Sequence, residues 1–151
     1  MANADLTLLK KLREETSASI SDCRQAIEES EGHFDKALIW LQKRAAEKAE
    51  KKADRSTGEG IIEPYIHQNG KLGVLVEILC ETDFVARTDE FKRLAHEVSM
   101  QIAAMNPKNV EDLLKQDYIK DNSLTIGDLI KQQIGKLGEN ITIKGFSRLE
   151  I

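Results

Sequence analysis

Apolar residues in the first forty positions recur at three- and four-residue spacings. Leu6, Leu9 and Leu12, with Leu8 beside them, form one such face behind Asp5, which the pattern predicts as an N-cap, and the polar run Glu14-Glu15-Thr16-Ser17 closes it. Ser19-Ile20-Ser21-Asp22 reads as a capping box, followed by Cys23, Ala26 and Ile27 on one face until Gly32. Phe34, Ala37, Leu38 and Leu41 then fall at i, i+3, i+4 and i+7. Three helices with narrow apolar faces predict a compact bundle of about 40 residues, which is marginal alone. From Lys43 to Arg55 that face lapses into an Ala/Lys/Glu run with six basic and three acidic residues. Such a run is expected to be a solvated helical extension that spaces the helical module, residues 1–55, from the remainder, with Ser56-Thr57-Gly58-Glu59-Gly60 as the boundary.

The pattern changes period after that boundary. Ile61 to His67 and Leu72 to Cys80 flank Gln68-Asn69-Gly70-Lys71, and Asn-Gly between apolar runs predicts a β-hairpin. Pro64 lacks a backbone donor, which places the first strand at an edge, whereas the nearly continuous apolar second strand belongs at the centre. Phe91, Leu94, Ala95, Val98, Ile102 and Met105 predict an amphipathic helix stopped by Asn106-Pro107, with Asp89 as its cap. Asn109 caps a short helix through Val110, Leu113 and Leu114. Thr125-Ile126-Gly127-Asp128 opens another through Ile130, Ile134 and Leu137, closed by Gly138. A last strand runs from Glu139 to Lys144 and on towards Phe146 and Leu149. The expected fold class is therefore α+β: a three-helix module, then a core at 56–151 made of a three-stranded antiparallel sheet with helices packed on it.

Composition narrows the function classes. With 151 residues, 32% of them charged, only 5% aromatic and a net charge of −4, the chain lacks the basic footprint of a nucleic-acid binder, and its expected partners are proteins. No apolar run approaches a membrane span, and the helical pattern starting by Asp5 leaves no room for a leader, so a cytoplasmic location is expected. Cys23 and Cys80 show no CxxC or Cys/His metal spacing, and no GxxxxGK[ST] loop is present. Neither a metal, a nucleotide nor another cofactor is expected on this chain.

Between the central strand and the following helix lies Glu81-Thr82-Asp83-Phe84-Val85-Ala86-Arg87-Thr88. An acid-plus-Phe pair at such a junction has two readings: Phe84 folds back as a staple on the sheet, or it stands out as a contact tip. TDFVA in this setting resembles a signature of elongation factor Ts. Gly138-Glu139-Asn140-Ile141 resembles a second stock phrase of that family, GENIxIRR, with Lys144-Gly145 in place of its arginines. The first module is similar to the ubiquitin-associated-like module that opens those proteins, through Leu12, Arg13, Thr16, Ala18, Asp22, Cys23, Ala26 and Ile27. Serines stand at Ser17 and Ser19 where the family has glycines, and at Ser21 where it has the second of two methionines.

The resemblance implies a guanine-nucleotide exchange factor that binds elongation factor Tu in its GDP form and performs no covalent chemistry. It implies that Asp83 and Phe84 intrude beside the partner's Mg2+ and phosphate site, with Thr82 and Val85 shaping the turn. It also implies a dock for a GTPase-domain helix through Leu12, Arg13, Ile20 and Ser21. A homodimer through the core is expected because a lone three-stranded sheet leaves sheet surface uncovered, and the resemblance to short members of the family implies it too. Two other classes remain at this point: a ubiquitin-associated-like binding adaptor without exchange activity, and a thiol enzyme built on Cys23 with His33 or Cys80 with His67.

Overall fold

The computed structural model describes residues 3–151. Three helices come first: α1 (Asn3–Thr16), α2 (Ile20–Glu29) and α3 (Phe34–Glu50). Leu12, Cys23, Ala26, Ile27, Ala37 and Leu41 close into one buried cluster, with Leu8, Leu9, Phe34, Leu38 and Trp40 packed at its margin. Asp5 lies inside α1 rather than at its cap, and Leu6, at 50% exposure, stays outside the bundle's buried cluster. The Ser19 hydroxyl caps α2 by accepting from the Asp22 N–H at 3.1 Å, as the capping pattern predicts. Ser17, by contrast, ends α1 in the left-handed region with φ 54°, its N–H donating to the Arg13 carbonyl at 2.8 Å.

The remainder is a sheet with helices on one side. β1 (Glu59–Ile66) and β2 (Leu72–Cys80) form the hairpin, and β5 (Thr142–Glu150) pairs antiparallel to the other edge of β2, so the order is β1-β2-β5. β1 begins two residues before the expected start, inside the stretch read as a boundary, and Pro64 sits on the edge strand opposite Leu75. Gly60 is required there: a methyl built on it would lie 2.1 Å from the Ile78 carbonyl oxygen. A bulge at Glu77/Ile78 leaves Lys144 unpaired between Gly145 and Ile143.

Val74, Val76, Ile78 and Cys80 alternate inward along β2 and meet α5 (Asp89–Met105), which buries Phe91, Leu94, Ala95, Val98 and Ile102. Met105, counted on that face by spacing, is half exposed at the last residue of α5, where Asn106 turns left-handed at φ 44°. α6 (Val110–Lys115) and α7 (Ile126–Leu137) complete the layer, α7 opening on the capping box of Thr125 and Asp128 and ending at Gly138 with φ 78°. A two-stranded ribbon, β3 (Asp117–Tyr118) with β4 (Asp121–Thr125), joins them. It is pinned to α5 by the buried Gln101 amide, which donates to the Asp117 carbonyl at 3.0 Å and accepts from the Ile119 N–H at 3.0 Å.

The second half of α3 is not a solvated spacer. Ala49 is 6% exposed and belongs to the sheet-side core, and a methyl added at Gly135 of α7 would sit 3.9 Å from the Ala45 methyl. Small residues at 45, 46 and 49 let the two helix backbones approach closely, so α3 contributes Ala37 and Leu41 to one core and Ala49 to the other. Lys48 and Arg44 on the same helix reach back to Asp22 of α2, at 2.5 Å and 3.7 Å.

Candidate functional site

Where β2 ends at Cys80 the chain leaves the sheet in an extended residue, Thr82 (φ −127°, ψ 154°), and makes one helical turn, α4 (Asp83–Ala86). The Thr82 hydroxyl accepts from the Val85 N–H at 3.4 Å. The next cap is Thr88, not Asp89: its hydroxyl accepts from the Phe91 N–H at 3.2 Å and donates to the Val85 carbonyl at 2.7 Å, while Asp89 is the first residue of α5. A shared hydroxyl thus stitches the one-turn helix to the long one. Ala86 is buried and Val85 packs partly on the core, so these two anchor the turn.

Phe84 does not fold back as a staple. It is 79% exposed, one of the most exposed large apolar side chains of the core unit. Beside it the Asp83 carboxylate pairs with the Arg87 guanidinium at 2.8 Å, both groups facing solvent. An exposed pair four residues apart on a helix is worth about 0.3–0.5 kcal/mol, so Asp83 is available to a competing partner at small cost.

A residue that spacing alone did not single out holds this turn. The Glu139 carboxylate accepts the Glu81 and Thr82 backbone N–H groups, each at 3.0 Å, and the Thr82 hydroxyl at 2.5 Å. In return the Glu81 carboxylate accepts the Asn140 N–H at 2.7 Å, and the Asn140 amide, 4% exposed, donates to the Ala53 and Arg55 carbonyls at 3.3 Å and 3.0 Å. The available signal was topological: antiparallel pairing of β2 with β5 puts the residues leaving one strand beside those entering the other. The two phrases that the sequence places 57 residues apart are therefore in direct contact.

The N-terminal set divides by exposure. Leu12 is fully buried in the bundle and offers no contact surface; its part is to support the surface above it. Arg13 and Ser21 are exposed and Ile20 is 45% exposed, at the end of α1 and the first turn of α2. Ser21 offers less apolar area than a methionine would, so Ile20 is the exposed apolar side chain of this set.

Neither thiol is placed for nucleophilic chemistry. Burial pushes the Cys80 thiol up to about 11, with the Glu139 charge adding to the effect, and its S–H points at the Thr82 carbonyl, 3.2 Å away. Burial likewise raises Cys23, whose S–H faces the Ala18 carbonyl at 3.9 Å. His33 instead contacts the Ser30 carbonyl, and His67 the Tyr65 hydroxyl. Among the described residues no three His, Cys, Asp or Glu side chains are placed to hold a metal ion, and no helix is long and apolar enough to cross a membrane.

Comparison with known proteins agrees with the two phrases. A family model described as Elongation factor TS matches residues 81–151, the stretch that contains both. The chain is 43% identical to the elongation factor Ts of Thermotoga neapolitana, with 97% of this chain and 96% of the relative covered. It is 41% identical to that of Methylacidiphilum infernorum over 100% of this chain and 97% of the relative. The elongation factor Ts of a Nostoc species is 44% identical over 97% of this chain, which spans 46% of that longer protein. Identity at this level along nearly the full length of both chains shows that this chain belongs to the elongation factor Ts family.

Proposed function

We propose that the protein is a guanine-nucleotide exchange factor for elongation factor Tu, acting by insertion of the Asp83-Phe84 tip next to the partner's Mg2+ and phosphate site. The observation that carries this reading is the exposure of Phe84, 79%, on a turn whose backbone is tied down on both sides. Exchange needs no covalent step. A factor that binds the nucleotide-free GTPase more tightly than the GDP form weakens GDP by the same factor, since coupled binding equilibria are reciprocal. Tight GDP binding depends on phosphate contacts and Mg2+, so interference is most effective beside them.

The magnitudes suffice. A fully buried aromatic side chain covers on the order of 150–250 Å², about 4–6 kcal/mol before ordering costs. Thr82 caps the turn and Val85 anchors it, leaving Phe84 to act as wedge and Asp83 as a fixed anion near the metal site. Arg13, Ile20 and Ser21, supported by Leu12, form the second contact, receiving a helix of the GTPase domain, and residues 1–55 serve as its module. Acting on a translation GTPase places the protein in the compartment of the ribosome.

The test is the release rate of a fluorescent GDP analogue from elongation factor Tu, with wild type and Phe84→Ala side by side. Wild type accelerates release strongly and the variant loses most of that acceleration, while its melting temperature changes by no more than a degree or two, as expected for an exposed side chain. Equal activity of the two proteins would sink the wedge. A large drop in the variant's melting temperature would instead restore the staple.

The far side of the sheet supports self-association. Ile62, Ile66, Leu75 and Leu149 are each more than half exposed on one face of the sheet, over which, among the described residues, no helix packs. A homodimer that apposes two such faces covers them. Sedimentation at micromolar concentration is expected to give a dimer, and Leu75→Asp a monomer that keeps its fold; a wild-type monomer would rule the arrangement out.

A further inference from the structure

We infer that Glu139 is a positioning residue for nucleotide exchange: its carboxylate fixes the direction in which the Asp83-Phe84 tip leaves the core. This rests on the exchange-factor reading. α4 is a single turn, and one turn cannot sustain itself because the dihedrals it fixes outweigh the bonds it closes. Something outside the turn must hold it. Ala86 and Val85 fix its depth against the core, and Thr88 fixes its far end. At the near end the Cys80 S–H meets the Thr82 carbonyl, but among the described residues it is Glu139 that gathers the donors there: the Glu81 and Thr82 N–H groups and the Thr82 hydroxyl all converge on its two oxygens.

The carboxylate is committed to this role. Among the described residues no Lys or Arg forms an ion pair with it, so its charge is met by three dipolar donors, all from the tip. The network then continues through the backbone of the next residue. Asn140 gives its N–H to Glu81 and its side-chain amide to the carbonyls of Ala53 and Arg55, just beyond the end of α3. Arg55 lies 3.5 Å from the Glu81 carboxylate. The tip is thereby referenced to the helix that also carries the N-terminal bundle. Two contact sites on one rigid body engage a single partner together only if their relative direction is right, and a misplaced wedge loses rate without losing the other contact.

Glu139→Ala and Glu139→Gln separate positioning from general support. The Gln carbonyl can accept both backbone N–H groups and its amide can donate to the Thr82 hydroxyl, so Gln keeps the geometry without the charge. The first measurement needs no partner: amide hydrogen exchange of the full chain. Glu139→Ala is expected to speed exchange at Thr82, Ala86 and Arg87 by about tenfold or more, with Leu94 and Val98 of α5 unchanged, and Glu139→Gln to restore protection. A uniform rise that includes α5 would overturn the inference in favour of global support.

The second measurement is GDP release from elongation factor Tu as a function of exchange-factor concentration. Glu139→Ala should lower the saturating rate about tenfold, with the half-saturating concentration within about twofold of wild type, and Glu139→Gln should recover most of it. Combined with Phe84→Ala it should cause no further loss, because both changes disable one device. Additive losses, or an unchanged saturating rate in a protein whose tip amides have loosened, overturn the positioning role. Failure of wild type to accelerate release, with a second exchange factor active on the same GTPase, overturns the exchange-factor reading itself and the positioning role with it. The amide measurement tells these cases apart, because it still reports whether Glu139 holds the turn.

Discussion

Two serines at positions where the family resemblance puts glycine have opposite consequences. Ser19 lies in the extended region and its hydroxyl caps α2, which a glycine cannot do. Ser17 lies at φ 54°, where a Cβ is crowded and glycine is at ease. Ser17→Gly is therefore expected to raise the stability of the N-terminal bundle by about 1 kcal/mol, read as a higher denaturation midpoint, in spite of the flexibility that glycine adds to the unfolded chain. A drop in midpoint would mean that the Ser17 side chain contributes more than its backbone strain costs. Residue-scale reading of the sequence was most reliable where one side chain meets its own neighbours, as at Ser19, Asn109 and Thr125. It failed at Asp89, where Thr88 was equally able to cap and had the added reward of donating to the Val85 carbonyl.

At the scale of elements, the amphipathic helices and the hairpin were legible because their periods are long enough to be distinctive. The β3–β4 ribbon was not: its strands are short and polar, and what fixes them is the buried Gln101 on a different helix. The second half of α3 was misread for another reason. Alanines spaced for close packing look featureless amid lysines and glutamates, and their meaning depends on Gly135 of α7. Two predictions belong to this scale. The packing of α3 on α2 includes Asp22, whose burial works against its charge but whose bonds from Lys48 and Ser19, with the Lys48 and Arg44 charges, hold its carboxyl below the ordinary value. A folded-state value below the unfolded one stabilises above the unfolded value, and that contribution is lost as pH falls below about 4. The bundle should thus lose stability on acidification in this range, and Asp22→Asn should flatten that part of the profile. For the sheet, Gly60→Ala forces either the β1–β2 ladder or the Ile78 carbonyl to move and should cost about 2–4 kcal/mol in chemical denaturation. A cost under about 0.5 kcal/mol would show that the edge strand yields freely.

Over the whole molecule, two buried clusters share one helix, and the proposed contact sites lie one on each cluster's side of it. The candidate tip was visible in the sequence as a phrase, and so was its counterpart at 138–141, but not that the second phrase grips the first. That knowledge required the antiparallel register of β2 with β5, which joins residues remote in the chain. The open face of the sheet was legible in outline, because three strands with helices packed on them leave sheet surface uncovered, but which residues line it depends on the register of β1 and β5 on β2.

The continuous α3 makes the relation between bundle and sheet a matter of phase. Each residue added between Leu41 and Ala49 would rotate one unit against the other by about 100° and separate them by about 1.5 Å, so a single insertion points the bundle away from any surface the tip can reach. Seven residues, close to two full turns, would bring the azimuth nearly back while lengthening the axis by about 10 Å. Eleven residues, close to three turns, would do the same with an axis about 16 Å longer, so the segment tolerates a change of length only near whole numbers of turns, as the pitch of a screw admits a nut only at certain positions.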